Sequence, residues 1–147
     1  RSPADDRAVL LDGLQQLGEH AVREGVFVLL EPLNRYGDYM LNRLEQAVAL
    51  CRAAGLPSLR VVGDFYLMNI EDRDMAAAIL SAGDYVQHMH AADNNRLQPG
   101  RGHIDFAPSL RALDAIGYDH YVSLECSLEG DPQAALTEAA RTRVEKP

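Results

Sequence analysis

Four short apolar runs, each preceded by a helix-like stretch and each closing on an acid or an imidazole, constrain this chain more than any other feature. The runs cover residues 26–30 closing on Glu31, 59–63 on Asp64, 86–89 on His90, and 121–124 on Glu125. A run such as Val26-Phe27-Val28-Leu29-Leu30 has no polar alternation, so it reads as a strand buried on both faces. In a chain that alternates helices with such strands, that burial means a parallel sheet with helices outside. The C-terminal strand ends then converge on one rim, where polar residues read as catalytic.

The helices between the runs are marked by period and by their stops. Val9, Leu10, Leu14, Leu17, Ala21 and Val22 recur at helical spacing over residues 4–24, and Gly25 follows as the stop. The next helix is expected to start with Asn42 as N-cap and Glu45 as its capping partner. Leu44, Val48 and Cys51 form its apolar face, and Gly55 ends it. A third helix is expected over residues 72–82 before Gly83, and a fourth over 108–116, with Pro108 in its first turn and Gly117 after it. Asp131 as N-cap and Pro132 open a last helix that runs to Arg141. The order is αβαβαβαβα.

A closed (β/α)₈ barrel takes about 250 residues. At 147 residues, four strand–helix units amount to half of such a barrel, with two open sheet edges. An open doubly wound sheet is the competing architecture for the same element order. The chain begins Arg1-Ser2-Pro3, and the repeat pattern favours an excerpt of a longer protein.

Charge and composition remove several function classes. A formal charge of −8, with no clustered stripe of Lys and Arg, argues against nucleic acid as a partner. No apolar run approaches the roughly 20 residues that span a bilayer, and the first residues lack a secretory pattern, so a cytoplasmic protein with no membrane partner is expected. Cys51 and Cys126 lie far apart and outside any C-x-x-C spacing, and both read as buried, reduced thiols.

Two Glu, one Asp and one His at one rim make a divalent metal site. Taken singly, an acid at a strand end is more often a helix cap. Four polar ends on four strands argue for a shared purpose. Three carboxylates and an imidazole suit Mn²⁺, Co²⁺ or Mg²⁺ better than a structural zinc, which favours thiolates. His88 faces the same side of its strand as His90 and reads as a packing or supporting residue.

The segments LLEPLNRY at 29–36, GDFYLMNIED at 63–72, HMHAADNNR at 88–96, PGRGHIDF at 99–106 and YVSLE at 121–125 resemble the xylose-isomerase-like TIM-barrel superfamily. The branch they most resemble is that of the ketose 3-epimerases and hydroxypyruvate-isomerase-like sugar isomerases. The resemblance covers nearly the whole chain and only the C-terminal half of the family's barrel, strands five to eight, so residues 1–147 read as one partial TIM-barrel domain. It implies that Glu31, Asp64, His90 and Glu125 ligate one divalent metal, and it supports a substrate contact for Arg96. Two positions depart from the family pattern. Leu67 stands where a substrate-contacting His is common, three residues after the metal Asp, and Gly37 stands where an acidic contact is common, with Asp38 next to it.

The chemistry is coherent without the family. A ketose can chelate a metal through its carbonyl and a neighbouring hydroxyl, and the metal then stabilises the enediolate left when the intervening C–H loses its proton. Glu31 and Glu125 are the candidate bases. Opposed bases would give epimerisation, and proton transfer on one face would give aldose–ketose isomerisation; the sequence leaves both open. Arg96 could bind a substrate oxygen, or stay solvated or paired with Asp93. Asn34 and Arg35 could line the pocket, with Leu67 in the altered substrate shell. Arg101 could touch a phosphorylated sugar, although the glycines of the 99–102 loop read as turn geometry. Asp105 reads as a helix cap, and Tyr66 and Met68 as core. The leading expectation is a metal-dependent sugar isomerase or epimerase with a small sugar substrate. The alternatives are a lyase of the same superfamily resembling dehydroshikimate dehydratase, and a truncated relative without turnover. A homo-oligomer could form through the open edges or the helical face.

Overall fold

Strand pairing decides between the two architectures. In the computed structural model, which describes residues 2–142, four strands pair in parallel in the order of the chain. A doubly wound sheet would reverse its strand order at a switch point, whereas a barrel wall adds strands sequentially. The sheet is therefore part of a barrel wall.

Helix α1 (Pro3–Glu24) opens with a reciprocal cap: the Ser2 hydroxyl accepts the Asp5 N–H at 3.2 Å, and the Asp5 carboxylate accepts the Ser2 N–H at 2.8 Å. At its other end Gly25 takes φ 67°, and the Val26 N–H turns back to the Ala21 carbonyl at 3.0 Å. That closing bond keeps Val26 out of the sheet. Strand β1 is consequently Val28–Leu30, shorter than the apolar run.

Helix α2 (Leu44–Ala54) has Arg43, not Asn42, at its N-cap. The Gln46 carboxamide oxygen accepts the N–H groups of both Asn42 and Arg43, at 2.8 and 3.0 Å, in place of the expected Glu45. Asn42 instead donates its side chain to the carbonyls of Leu33 and Asp38, which folds the loop after β1. Strand β2 (Leu59–Asp64) follows and runs straight into α3 (Phe65–Glu71).

Helix α3 is an additional helix ahead of the one expected at 72–82, which is observed as α4 (Met75–Ala82). Asp64 starts the first by accepting N–H groups of Tyr66 and Leu67, and Asp74 starts the second by accepting the Ala77 N–H. After a 3₁₀ turn, β3 (Val86–Ala91) leads through a long loop to α5 (Ala107–Ala115). Asp105 supports the start of α5 by accepting the Ala107 N–H at 3.0 Å. Strand β4 (Val122–Leu124) and α6 (Pro132–Thr142) complete the order, with the Asp131 carboxylate accepting the Ala134 N–H at 3.0 Å.

The core lies between the central strands and helices α2, α4 and α5, through Leu44, Leu50, Leu59, Val61, Ile79 and Met89. Phe65 and Phe106 meet edge to face at 5.4 Å and lock α3 against the start of α5. Burial on both faces holds for most of β2 but not for the outer strands: Leu29 is exposed on β1, as are Ser123 and Leu124 on β4. These strands stand at the two edges of the sheet. Among the thiols Cys51 is buried as expected, whereas Cys126, next to an edge strand, is only half-buried. No described helix is long and apolar enough to cross a membrane.

Candidate metal centre

The register carries the strand ends to one level. Asp64 pairs with His90 across β2 and β3, and Ser123 of β4 pairs with His90 on its other side. Glu31 and Glu125 each follow the last residue of an outer strand. One ligand atom from each of Glu31, Asp64, His90 and Glu125 lies within 4.8 Å of all the others. His90 Nδ1 is the hub, 3.1 Å from Glu31 Oε1, 3.5 Å from Glu125 Oε2 and 3.9 Å from Asp64 Oδ2.

Asp64 is divided between two tasks. Its Oδ1 accepts the Tyr66 and Leu67 N–H groups at 2.7 and 3.2 Å, capping α3, while Oδ2 faces the other acids. Burial pushes its carboxyl up to about 6, with a further push from Glu125, against the opposing pull of the Leu67 N–H, Arg96 and the Tyr66 N–H. A carboxylate held so far from water by its own fold is one that a cation would stabilise strongly.

The donor set fits a divalent ion. Ligands bound to one ion at about 2.0–2.2 Å stand about 3 to 4 Å apart, so these atoms need only a small contraction. Three oxygens and one imidazole nitrogen match Mn²⁺ or Co²⁺ in softness. His88 packs edge to face on His90 at 5.1 Å, and burial lowers its tendency to protonate, as does the neighbouring imidazole.

Arg96 does not pair with the Asp93 carboxylate. Its guanidinium lies over the Tyr66 ring at 4.5 Å, donates to Asp64 Oδ2 at 3.3 Å, and forms an ion pair with Glu125 Oε2. Tyr66, expected as core, is the platform beneath it. Asp93 is buried and accepts the N–H groups of Asn94, Gly100 and Ile104 at 2.9, 3.0 and 3.0 Å. Burial raises the Asp93 carboxyl, but these bonds and one from Gly102 outweigh it and hold the group below the usual range. A Cβ on Gly102 would sit 2.1 Å from both Asp93 Oδ1 and Asn94 Oδ1, which is why the loop needs glycine there.

The other expected site residues are placed as follows. The buried Asn34 accepts the Tyr36 N–H through Oδ1 at 3.0 Å, bracing the loop after β1. Leu67 is buried in the first turn of α3. Asp38 accepts the Leu41 N–H within its own loop. Arg35 turns away from pocket lining and clasps Glu71, with the guanidinium Nε at 2.9 Å and the backbone N–H at 2.6 Å. Arg101 pairs with Glu138 at 3.0 Å. Gln98, which the sequence did not single out, is fully buried and bonds both the N–H and the carbonyl of Glu129, tying the loop after β3 to the loop after β4.

Sequential parallel strands with a charged rim define a class of fold, the (β/α) barrel, in which sites lie at the C-terminal strand ends. The sequence profile of the xylose isomerase-like TIM barrel matches residues 1–145, and the chain belongs to that family. It is 40% identical over 134 residues to the 3-dehydro-D-guloside 4-epimerase of Escherichia coli, covering 91% of this chain and 51% of that protein. A D-psicose 3-epimerase from Enterocloster bolteae is 37% identical over 120 residues, covering 82% of this chain and 40% of the relative. The crystal structure of 3-keto-D-glucoside 4-epimerase from E. coli superimposes with a TM-score of 0.91 at 40% identity, over 98% of this chain and 56% of that one. The chain thus spans about half the length of the relatives it matches.

Proposed function

We propose that this chain contributes four of the eight strand–helix units, within one barrel domain, of a divalent-metal-dependent sugar epimerase. The observation that carries this reading is the convergence of the Glu31, Asp64, His90 and Glu125 ligand atoms within 4.8 Å. These four residues would hold Mn²⁺, Co²⁺ or Mg²⁺, and the ion would supply Lewis-acid polarisation of a substrate carbonyl.

The remaining chemistry belongs to the side chains. Glu31 and Glu125 follow the two outer strands of the sheet, so they approach the site from opposite sides. Each carboxylate has two oxygens and can remove or return a proton on its own side. One takes the proton from the carbon next to the carbonyl, leaving an enediolate, and the other delivers a proton to the opposite face. Configuration inverts, and no oxidant or reductant is consumed. Arg96 would hydrogen-bond the enediolate oxygen through its guanidinium, with Leu67 as an apolar wall and Asn34 shaping the loop beside Glu31.

The names of the relatives favour epimerisation over aldose–ketose isomerisation. A 3-dehydro sugar inverted at carbon 4 and a 2-ketose inverted at carbon 3 are both altered next to a carbonyl. The substrate class for this chain is accordingly a keto sugar or keto glycoside with a hydrogen on the carbon beside its carbonyl. The test is NMR-monitored exchange of that hydrogen in D₂O by the intact, Mn²⁺-loaded protein, with Glu31→Gln and Glu125→Gln as controls. Deuterium is expected at the inverted carbon, with loss of at least about 10²-fold in rate for either variant. Mn²⁺-loaded protein that exchanges no carbon-bound hydrogen across a panel of ketoses and 3-keto glycosides would refute the reading.

A further inference from the structure

Arg96 holds the same two acids that the proposed ion needs. Its backbone sits at φ 62°, a left-handed conformation that a residue with a side chain adopts when its surroundings hold it there. Here the Arg96 N–H donates to the Asp93 carbonyl at 2.9 Å, and the Arg96 carbonyl accepts the Ser127 N–H at 2.8 Å. The residue is therefore tied to the ends of both β3 and β4. From that anchor the guanidinium stacks on Tyr66 and bridges Asp64 Oδ2 and Glu125 Oε2.

Asp64 Oδ1 is committed to the first N–H groups of α3, so Oδ2 is the oxygen left to face both the guanidinium and a metal ion, and a dication there would repel the guanidinium cation. Glu125 Oε2 lies under the same double demand, 3.5 Å from His90 Nδ1 and paired with Arg96. We propose that Arg96 is a built-in counterion that competes with the divalent ion for Asp64 and Glu125. Entry of the ion displaces the guanidinium from both carboxylates, while the Tyr66 ring and the two backbone bonds keep it at the rim. Occupancy of the metal site and release of Arg96 toward a substrate oxygen are then one event. When the ion is scarce, the guanidinium offsets the repulsion between the Asp64 and Glu125 carboxylates. This inference rests on the metal reading of the site.

The test compares the intact protein with Arg96→Gln and Arg96→Lys, each stripped with a chelator and titrated calorimetrically with Mn²⁺ alone. Arg96→Gln is expected to bind at least tenfold more tightly than the parent. Arg96→Lys keeps the charge but lacks the planar fork that spans two carboxylates, and is expected to fall between them. Chelated Arg96→Gln should also melt several degrees below the chelated parent, with the gap closing at saturating Mn²⁺. Equal or weaker binding in Arg96→Gln, with binding by the parent intact, overturns the competition and leaves the metal site standing. No Mn²⁺ binding by the folded parent overturns both. If Arg96→Gln does not fold without metal, the Lys variant decides: tighter binding than the parent supports competition, and unchanged binding overturns it.

Discussion

Asp93→Asn isolates the framework that holds Arg96 in place. Asp93 is 1% exposed, and its carboxylate accepts the Asn94 and Ile104 N–H groups on Oδ1 and the Gly100 N–H on Oδ2, beside the bond from Gly102. Asn is nearly isosteric and keeps one oxygen, but its amide group then faces the Gly100 N–H, donor against donor. Losing one charge-assisted bond and stranding one buried N–H costs about 2–4 kcal/mol. Urea unfolding of the intact, chelated protein should show a lower midpoint with an unchanged slope. Stability also carries a pH signature. The folded carboxyl lies below its ordinary value, so its contribution is fully present above about 4 and is lost as pH falls through the lower folded value. The variant should lack that acid-side loss. A midpoint within about 0.5 kcal/mol of the parent would refute the reasoning, because it would mean that the loop does not depend on the carboxylate.

Two further effects follow from the same region. The buried Asp64 carboxyl is raised from 3.8 to about 6, so the unfolded chain releases its proton first and stability falls as pH rises from about 4 to about 6. Chelated Asp64→Asn should show a flatter urea-midpoint profile over that window. Gly102→Ala places a Cβ 2.1 Å from Asp93 Oδ1, and a thermal melt should show a loss of about 1–3 kcal/mol.

The rim was legible because each apolar run stops at a polar residue, and glycine stops such as Gly25 and Gly55 fixed the helices between them. Helix α3 was not, because Phe65-Tyr66-Leu67-Met68 continues the apolar run of β2 and its cap is the same Asp64 that reads as a ligand. Asn42 looked like a cap, yet Gln46 does the capping while Asn42 serves a loop nine residues earlier. The outer strands carry sequences that suit a complete wall but are partly exposed, because four strands leave two edges. Gln98 acts on a partner 31 residues away, and the approach of Arg96 to Asp64 depends on a left-handed backbone angle. Neither has a local sequence signal.

The central claim is that four strand ends hold one divalent ion. Its most direct test is calorimetric titration of the chelator-stripped intact protein with Mn²⁺, beside Asp64→Asn. Asn keeps the carbonyl that caps α3 and removes the charged oxygen that faces His90. The account predicts one ion per chain for the parent and a loss of at least about tenfold in affinity for the variant. Equal affinity in the two proteins, or no binding by the folded parent, would contradict it.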